Sequence, residues 1–464
     1  MIPLSVAGLA SAVGGTIAGA DPDAIVSAPA TIDSRTVTPG GLFVAFPGEN
    51  VDGHDYVAAA IAAGAVVALT SRPVEGSPCV VVDDQQEALG RLAAFVLRRL
   101  PDLTVIGLTG SQGKTSTKDL IAQLLRPAGP TVAPRGSLNN EIGHPLTALQ
   151  ADEKTRFLVS EMGAAQVGDI RYLTGITPPR IGLVLNVGSA HVGRFGSPDN
   201  IAVAKGELVE ALPADGTAVL NADDARVAAM ASRTTARVLT FGEADGADVR
   251  ATGVALDEGG RPRFTLHAGG EEHPVRLRLV GEHQVSNALG AAAVAYAAGI
   301  TPADIAARLA AAEAESRWRM EVTDRADGVT VINDAYNANP ESVRAALKAL
   351  VAIGRARNAR TWAVLGEMRE LGAASAAEHD AVGRLAVRLD VNRLVAVGEA
   401  ARAIHLGAAH EGSWGDESVY AETAEAALEL LRAELRPGDV VLVKASRSIG
   451  LESLAAALLK EETA

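Results

Sequence analysis

The chain has 464 residues, 48% of them hydrophobic and 21% charged, and it carries 42 basic against 56 acidic side chains, for a formal net charge of −14. This balance is typical of a globular protein and argues against a disordered chain, and the acidic excess argues against a general nucleic-acid binder, which needs a basic face for phosphates. A few local cations in a cleft can still bind small anions, and the length favours about three domains of roughly 150 residues each.

The first segment, residues 1–100, is predicted to form a small α/β domain. We predict strands at 42–46 and 65–69 and helices at 55–63 and 88–100, with Gly64 and Pro101 ending the two helices. Residues 1–5 lack the basic region of a signal peptide. The only cysteine, Cys79, cannot form an internal disulfide.

The second segment, residues 101–315, alternates short apolar runs with helical stretches. The predicted strands are 103–108, 157–159, 181–185, 218–220 and 238–241, and the predicted closing helices are 287–298 and 302–314. Such alternation is typical of a parallel sheet covered by helices. Residues 247–279 are rich in Gly, Arg and alternating apolar side chains, so we expect a β-hairpin appendage there.

The third segment, residues 316–464, repeats this style. Strands are predicted at 329–332, 361–365, 394–397 and 440–443, with Ala-rich helices between them. The predicted fold class is therefore α/β with three domains: a small N-terminal domain, a central parallel-sheet domain with a phosphate loop, and a Rossmann-like C-terminal domain. No run approaches the ~20 apolar residues that span a bilayer, so we expect a soluble cytoplasmic monomer without membrane insertion.

A glycine-rich turn between the first central strand and a helix is the strongest local signal. The run consists of Thr109, Gly110, Ser111, Gln112, Gly113, Lys114, Thr115 and Ser116. Glycines permit close approach, backbone N–H groups at a helix start bind phosphate oxygens, Lys114 supplies a cation, and the Thr115 hydroxyl can ligate magnesium. The common phosphate loop has four residues between its first Gly and the Gly-Lys pair, so this is a compact variant.

Three further side chains are expected near the same sheet edge. Glu161 follows the predicted strand 157–159, His191 follows the next strand, and Lys205 lies in the helix after it. A carboxylate at this edge suits magnesium, but a solvated Glu or helix cap explains Glu161 equally well. A hydrogen-bonded structural histidine and a solvated lysine are the plain alternatives for the other two residues.

Dense polar runs occur at two more places beside apolar segments. Asn139, Asn140 and Glu141 form one run, and residues 334–340 form the other, with Asn339 and Pro340 suited to start a helix. Capping does not explain Asp334, Tyr336 and Asn337 together. Lys444 and Arg447 also follow a predicted strand, where a solvated basic turn is the alternative reading.

Taken in order, these runs resemble the Mur ligase family of ATP-dependent amide-forming enzymes along nearly the whole chain. The runs 138–143, 161–164 and 336–340 favour the members that add D-alanyl-D-alanine to UDP-N-acetylmuramoyl-tripeptide. Residues 33–35, 41–43 and 52–54 resemble the family's UDP-sugar-binding domain, and 109–116 its ATP loop. The resemblance implies ATP and Mg²⁺ as cofactors, and the UDP-linked tripeptide and D-alanyl-D-alanine as substrates.

The resemblance also implies roles for individual residues. Thr115, Glu161 and His191 become magnesium ligands, and Lys205 becomes the lysine that the family carries as a carbamate. Lys114, His191 and Lys205 are the catalytic candidates. The implied nucleotide contacts outside the phosphate loop are His283, Asn287, Arg319 and Asp334, and the implied substrate contacts are Ser34, Arg35, Asn139, Asn140, Glu141, Tyr336, Asn337, Lys444 and Arg447.

Two departures from the family pattern concern loop shape. Trp318 precedes Arg319 where glycine is commoner, and Ala445 stands where the Lys-x-Ser-Arg motif often has glycine. Two alternatives to the implied reaction stay open at this stage. One is a Mur-type ligase that adds a different amino acid, and the other is a nucleotide-hydrolysing binding or regulatory protein.

Overall fold

The protein is described by a computed structural model that covers residues 1–48, 51–134, 136–188, 192–412 and 417–460. The predicted α/β architecture is confirmed: three larger sheets follow one another along the chain, each flanked by helices. In the ranges given above, no helix combines the length and the apolar composition needed to cross a bilayer.

The N-terminal part folds into a small sheet with three α-helices. Its elements are β1 (Leu4–Ser5), α1 (Val6–Val13), β2 (Thr16–Ala18), β3 (Ile25–Val26), β4 (Ala30–Thr31), β5 (Leu42–Val44), α2 (Val57–Ala62), β6 (Val67–Thr70), β7 (Cys79–Val81) and α3 (Gln85–Leu97). The sheet order is β2-β7-β6-β5-β4, and β1 pairs with β3. Helix α3 begins before the predicted residue 88 because the Asp84 side chain accepts a hydrogen bond from the Glu87 backbone N–H and caps it.

The central part builds a nine-stranded sheet. Its elements are β8 (Thr104–Thr109), α4 (Lys114–Leu125), β9 (Thr131–Val132), α5 (Gly143–Ala148), β10 (Phe157–Glu161), α6 (Asp169–Ile176), β11 (Ile181–Val184), α7 (Val192–Phe195), α8 (Pro198–Glu210), β12 (Thr217–Asn221), α9 (Ala225–Ala228), β13 (Arg237–Gly242), β14 (Val249–Leu256), β15 (Pro262–Ala268), β16 (Glu271–Arg276), α10 (Gln284–Ala297) and α11 (Pro302–Ala311). The order is β16-β15-β14-β13-β12-β11-β8-β10-β9.

The hairpin predicted at 247–279 is confirmed, because β14, β15 and β16 pair antiparallel in succession, but the prediction that it is an appendage is wrong. The segment forms three strands, β14 to β16, and β14 continues the sheet by pairing in parallel with β13. Alternate residues of these strands, such as Val249 and Ala251, are buried in the same core as helices α10 and α11. One apolar face is therefore covered, and the strands belong to the main sheet.

The C-terminal part contains a six-stranded sheet in the order β17-β18-β22-β19-β20-β21. Its elements are β17 (Glu321–Asp324), β18 (Thr330–Asn333), α12 (Pro340–Arg357), β19 (Thr361–Leu365), α13 (Ser375–Arg388), β20 (Arg393–Val397), α14 (Arg402–Glu411), β21 (Ser418–Ala421), α15 (Ala424–Glu434), β22 (Val440–Lys444) and α16 (Glu452–Lys460). The predicted start of α12 is confirmed: Asn339 and Ser342 form a capping box, and Pro340 occupies the first turn.

Short 3₁₀ helices connect several of these elements. They are Ser34–Thr36, Gly53–Tyr56, Arg126–Ala128, Ala229–Arg233, Gly372–Ala374, Glu399–Ala401 and Arg447–Ile449. Helix α3 of the N-terminal part shares a core with the central part, because Leu89 and Leu92 are buried together with Leu146 and Leu158. The first two sheets therefore form one packed body.

The strand order of the central sheet fixes where its polar loops lie. Strand β8 runs between β11 and β10, all in parallel. The loops that leave these three strands therefore meet at the carboxyl edge of the sheet, which is where open α/β sheets bind their ligands. These loops carry the compact phosphate loop, Glu161 and the segment that leads towards His191.

Candidate active site

The phosphate loop lies between β8 and α4, as the sequence predicts. Gly113 has a φ of +79°, and a Cβ atom there would collide with the Asn287 side chain of α10. A glycine is therefore required by both backbone conformation and close packing. The Lys114 Nζ atom donates a hydrogen bond to the Gly110 carbonyl at 2.8 Å, which folds the lysine back over the loop.

Glu161 is the last residue of β10 and is 1% exposed. Its expected place at the carboxyl end of this strand is confirmed, with the strand reaching Glu161 itself, and the alternative of a solvated Glu is wrong. Its Oε1 atom accepts hydrogen bonds from Asn139 Nδ2 at 2.7 Å and from Thr115 Oγ1 at 3.4 Å. Its Oε2 atom is buried and has no hydrogen-bond partner among the residues that the structure describes. A buried carboxylate oxygen without a donor is costly unless a cation satisfies it, so this oxygen fits a divalent ion beside the Thr115 hydroxyl.

Two lysines share the interior of the site. Burial lowers the pKa of Lys114, an effect that Glu161 opposes and Arg319 reinforces. Lys205, in α8, has its pKa lowered well below the usual range by burial and then by the charge of Lys114. In the part of the chain that the structure describes, the Lys205 ammonium makes no hydrogen bond or ion pair. The solvated helix lysine of the alternative reading is therefore wrong.

The third expected member of this group, His191, lies outside the described residues. Among the residues that the structure does describe, no group of three or more His, Cys, Asp or Glu side chains is arranged to hold a metal ion. The oxygen donors at hand are the Thr115 hydroxyl and the Glu161 carboxylate.

The C-terminal sheet contributes a cation directly to the phosphate loop. Arg319 Nη2 donates to Thr115 Oγ1 at 3.0 Å and to Ser137 Oγ at 3.1 Å, and its guanidinium stacks on the Tyr336 ring at 4.1 Å from the centroid. The Thr115 and Ser137 hydroxyls also hydrogen-bond each other at 2.8 Å. Arg319 thus joins two sheets that are far apart in sequence.

Asp334 and Lys444 form a buried ion pair behind Arg319. The Lys444 Nζ atom lies 2.6 Å from Asp334 Oδ2 and donates to the Asn337 carbonyl at 2.9 Å. Asp334 Oδ1 accepts a hydrogen bond from the Met320 backbone N–H at 3.1 Å. The solvated basic turn is therefore wrong for Lys444, which anchors the loops on either side of Arg319.

The loop around Arg319 has an unusual backbone. Trp318 and Met320 have φ values of +58° and +50°, a left-handed conformation that glycine adopts more easily. Arg447 lies over the Trp318 ring at 4.4 Å and pairs with Glu452. Stacking against Arg447 compensates part of the strain at the tryptophan.

One cleft of about 1290 Å³ joins the three parts of the chain. It brings together the predicted site residues Ser111, Gln112, Gly113, Lys114, Thr115, Ser116, Asn139, Asn140, Glu141, Glu161, Lys205, His283, Asn287, Arg319, Asp334, Tyr336, Asn337 and Lys444. Within the described part of the chain, the His283 Nδ1 atom in this cleft is buried and has no hydrogen-bond partner. Thr109 and Gly110 lie behind the lining.

Three predicted substrate residues do not line the cleft. Ser34 and Arg35 lie in the first 3₁₀ helix, where the exposed Arg35 pairs with Asp33 at 2.7 Å and lowers the pKa of that carboxyl to about 2. Arg447 is bound to Trp318 and Glu452, as described above. Sequence reasoning missed Ser137, Asn186 and Tyr172, which also line the cleft. Asn186 had a usable signal, because it follows the strand next to β8.

Comparisons with known proteins agree with this layout. Three family models match the chain in order: "Mur ligase family, catalytic domain" at 30–97, "Mur ligase middle domain" at 108–295 and "Mur ligase, glutamate ligase domain" at 318–447. A UDP-N-acetylmuramoyl-tripeptide–D-alanyl-D-alanine ligase of Mycobacterium tuberculosis is 51% identical over 505 residues, covering 100% of this chain and 99% of that protein.

Solved structures give the same result. The crystal structure of MurF from Acinetobacter baumannii has a TM-score of 0.88 at 34% identity, covering 99% of each chain. The MurF ligase of Thermotoga maritima in complex with ADP has a TM-score of 0.81 at 28% identity, covering 94% of this chain and 98% of that one. By these matches over its full length, the chain belongs to the Mur ligase family of ATP-dependent ligases.

Proposed function

We propose that the protein joins D-alanyl-D-alanine to UDP-N-acetylmuramoyl-tripeptide with the consumption of ATP, a step of peptidoglycan precursor synthesis. The observation that carries this proposal is the meeting of three groups in one cleft: the phosphate loop, the buried Glu161 carboxylate and Arg319 from the C-terminal sheet. Full-length relatives that carry this ligase name support the choice of substrates.

In the first step, a terminal carboxylate oxygen of the tripeptide attacks the γ-phosphorus of ATP. A new O–P bond forms, the P–O bond to ADP breaks, and the products are an acyl phosphate and ADP. Two anions have to approach each other, so the cations of the cleft must lower their repulsion. Lys114 lies over the loop and Arg319 contacts Thr115 beside it, and both are placed to do so.

In the second step, the free amine of D-alanyl-D-alanine attacks the acyl carbon. A C–N bond forms, the amine loses its proton, and the tetrahedral intermediate expels inorganic phosphate. Acyl phosphates hydrolyse easily, so water must be excluded during this step. The hydrogen bonds of Arg319 to Thr115 and Ser137 tie the C-terminal part to the central part at this cleft, which supports the exclusion of water there.

The donors around Glu161 fit magnesium. Thr115 and Glu161 would hold the ion, with His191 and a carbamylated Lys205 as the further ligands that the family resemblance implies. Bound there, magnesium would neutralise charge on the phosphates. An ammonium on Lys205 would repel such an ion, whereas a carbamate would offer it oxygen ligands. The burial of Lys205 without a partner supports the carbamate.

The same proposal assigns the remaining parts of the chain. Residues 1–100 would bind the UDP-sugar through Ser34 and Arg35, residues 101–315 would bind ATP, and residues 316–464 would bind the dipeptide near Tyr336 and Asn337. His283, Asn287 and Asp334 would hold the nucleotide, and Asn139, Asn140, Glu141, Lys444 and Arg447 the substrates. A monomer in the cytoplasm remains the prediction for assembly and location.

The direct test is product analysis with purified protein. We expect UDP-muramyl-tripeptide, ATP and D-alanyl-D-alanine to give the mass of the pentapeptide, in amounts equal to the ADP formed. Lys114→Ala should abolish the product while the protein stays folded, because no other side chain of the loop carries a cation. A product with another amino acid but none with the dipeptide would contradict the proposal, and so would phosphate release without ligation.

A further inference from the structure

Asn186 follows β11 and is bonded to the phosphate loop through both its side chain and its main chain. Its Oδ1 atom accepts hydrogen bonds from the backbone N–H groups of Ser111 and Gln112, each at 3.0 Å. Its Nδ2 atom donates to the Gln112 carbonyl at 3.2 Å, and its own carbonyl accepts from the Ser111 N–H at 3.1 Å. The Asn186 carboxamide therefore binds the Ser111–Gln112 turn through both its oxygen and its nitrogen.

The short length of the loop makes this brace important. Two residues, Ser111 and Gln112, separate Gly110 from the Gly113-Lys114 pair, whereas the common phosphate loop has four. A shorter loop has fewer backbone N–H groups to close around phosphates, and here the two in its middle are taken up by Asn186. The turn is thus held from the neighbouring strand.

The N–H groups left for phosphate are those at the start of α4. Helix α4 begins at Lys114, and the first N–H groups of a helix have no partner within it. They bind anions well only if the chain enters the helix at the right angle, and the Ser111–Gln112 turn sets that angle. Ser111 Oγ in addition accepts a hydrogen bond from the Gly188 N–H at 2.9 Å, two residues beyond Asn186.

We propose that Asn186 is a positioning residue that holds the compact phosphate loop in its nucleotide-binding shape before ATP arrives. A side chain that merely filled the place of a phosphate oxygen would need only an acceptor. Asn186 also donates to Gln112, and its main chain holds Ser111, which are bonds that a phosphate oxygen cannot replace. The inference rests on the proposed use of ATP by this loop.

The test compares Asn186→Ala with Asn392→Ala. Asn392 is a matched control, because its Oδ1 atom likewise accepts a backbone N–H, that of Thr361 at 2.8 Å, but in the C-terminal sheet and outside the residues that line the cleft. Calorimetric titration with ADP is expected to show about tenfold weaker binding for Asn186→Ala, as the loss of one or two hydrogen bonds predicts. The KM for ATP should rise by a similar factor and the KM for the tripeptide should stay within about twofold.

Asn186→Asp adds a second variant. It keeps an acceptor for the two N–H groups but loses the donor to Gln112 and places a negative charge beside the phosphates, so ADP should bind at least as weakly as to Asn186→Ala. The control Asn392→Ala should bind ADP like the wild type even if its thermal unfolding midpoint falls.

Each possible result of these measurements supports or contradicts the role proposed for Asn186. ADP binding by Asn186→Ala that is unchanged or tighter would overturn the inference, and tighter binding would show that the side chain competes with phosphate. Equal losses in Asn186→Ala and Asn392→Ala, for ATP and tripeptide alike, would reduce Asn186 to a structural residue. Wild-type protein that binds no ADP would instead overturn the proposed function.

Discussion

Lys205 is a helix lysine whose surroundings suit a neutral or modified amine. It is 5% exposed, it makes no ion pair in the described residues, and the charge of Lys114 adds to burial in lowering its pKa. Carbamylation needs the neutral amine, which burial and a nearby cation favour. A carbamate would turn this cation into an oxygen ligand.

We expect Lys205→Ala to lose most ligase activity and to regain part of it when a small carboxylate such as acetate is added, because the anion can occupy the vacated space. Lys205→Arg should stay inactive, since it keeps a charge but cannot form this carbamate. Protein equilibrated with ¹³C-labelled carbon dioxide should show a carbamate carbonyl signal that both variants lack. Normal activity of Lys205→Arg would leave Lys205 as a simple cation.

His144 provides a test through pH. Burial lowers its pKa from 6.5 to about 4, and its Nε2 atom lies 2.7 Å from Thr177 Oγ1. Above pH 6.5 the imidazole is neutral in both the folded and the unfolded chain, so it adds no pH dependence. Between pH 6.5 and about 4 the unfolded chain binds a proton that the folded chain does not, and stability falls by about 3 kcal/mol in total.

The measurement is the thermal unfolding midpoint at a series of pH values for wild type and His144→Gln. The wild type should lose stability more steeply than the variant as the pH falls from 6.5 towards 4, because glutamine does not titrate. Parallel curves for the two proteins over this range would show that His144 is protonated in the folded state.

At the residue scale, sequence predicted the side chains whose role follows from a motif, such as Gly113 and Lys114. It could not predict the hydrogen bonds of Ser137 or Asn186, because these depend on which loops the strand order brings together. The tryptophan itself gives no local signal for the positive φ of Trp318, and only the glycine that the family commonly has there pointed to an unusual loop shape.

At the scale of elements, buried strands were the most predictable. The strand predicted at 361–365 is confirmed as β19 without a shift. Helix boundaries that depend on side-chain caps were less predictable. Helix α3 begins earlier than predicted because the Asp84 side chain caps it. The segment 247–279 was misread because nothing local distinguishes a hairpin that stands alone from strands that extend a sheet already formed elsewhere.

The loop between β18 and α12 is the element proposed to bind the dipeptide. Tyr336 stacks on Arg319, and Asn337 is exposed at the cleft while its Oδ1 accepts the Ala338 N–H at 2.9 Å. We expect Asn337→Ala to raise the KM for D-alanyl-D-alanine about tenfold and the KM for ATP much less, since a hydrogen bond to a charged group is at stake.

Tyr336 separates two effects in the same steady-state assay. Tyr336→Phe keeps the ring on Arg319 and should change only the KM for the dipeptide. Tyr336→Ala removes the stack as well, so the KM for ATP should rise too, because Arg319 contacts the phosphate loop through Thr115. Variants that all raised the KM for ATP alone would move this loop to the nucleotide site.

At the scale of the whole molecule, the acidic chain builds one cationic cleft. The net charge is −14, yet Lys114 and Arg319 meet at the phosphate loop in one cleft, which Lys444 also lines as the ion-pair partner of Asp334. Local cations of this kind attract anionic substrates despite the overall charge. Composition excluded nucleic acid as a general partner, but the convergence itself follows from tertiary packing and was visible in the sequence only through the family resemblance.

In the proposed reaction, the tripeptide carboxylate becomes an acyl phosphate before the amide forms. The most direct measurement uses tripeptide labelled with ¹⁸O in its terminal carboxylate and follows the label by mass spectrometry. We expect each molecule of pentapeptide to be accompanied by one inorganic phosphate carrying one ¹⁸O atom from the substrate. Unlabelled phosphate, with the amide still formed, would contradict it.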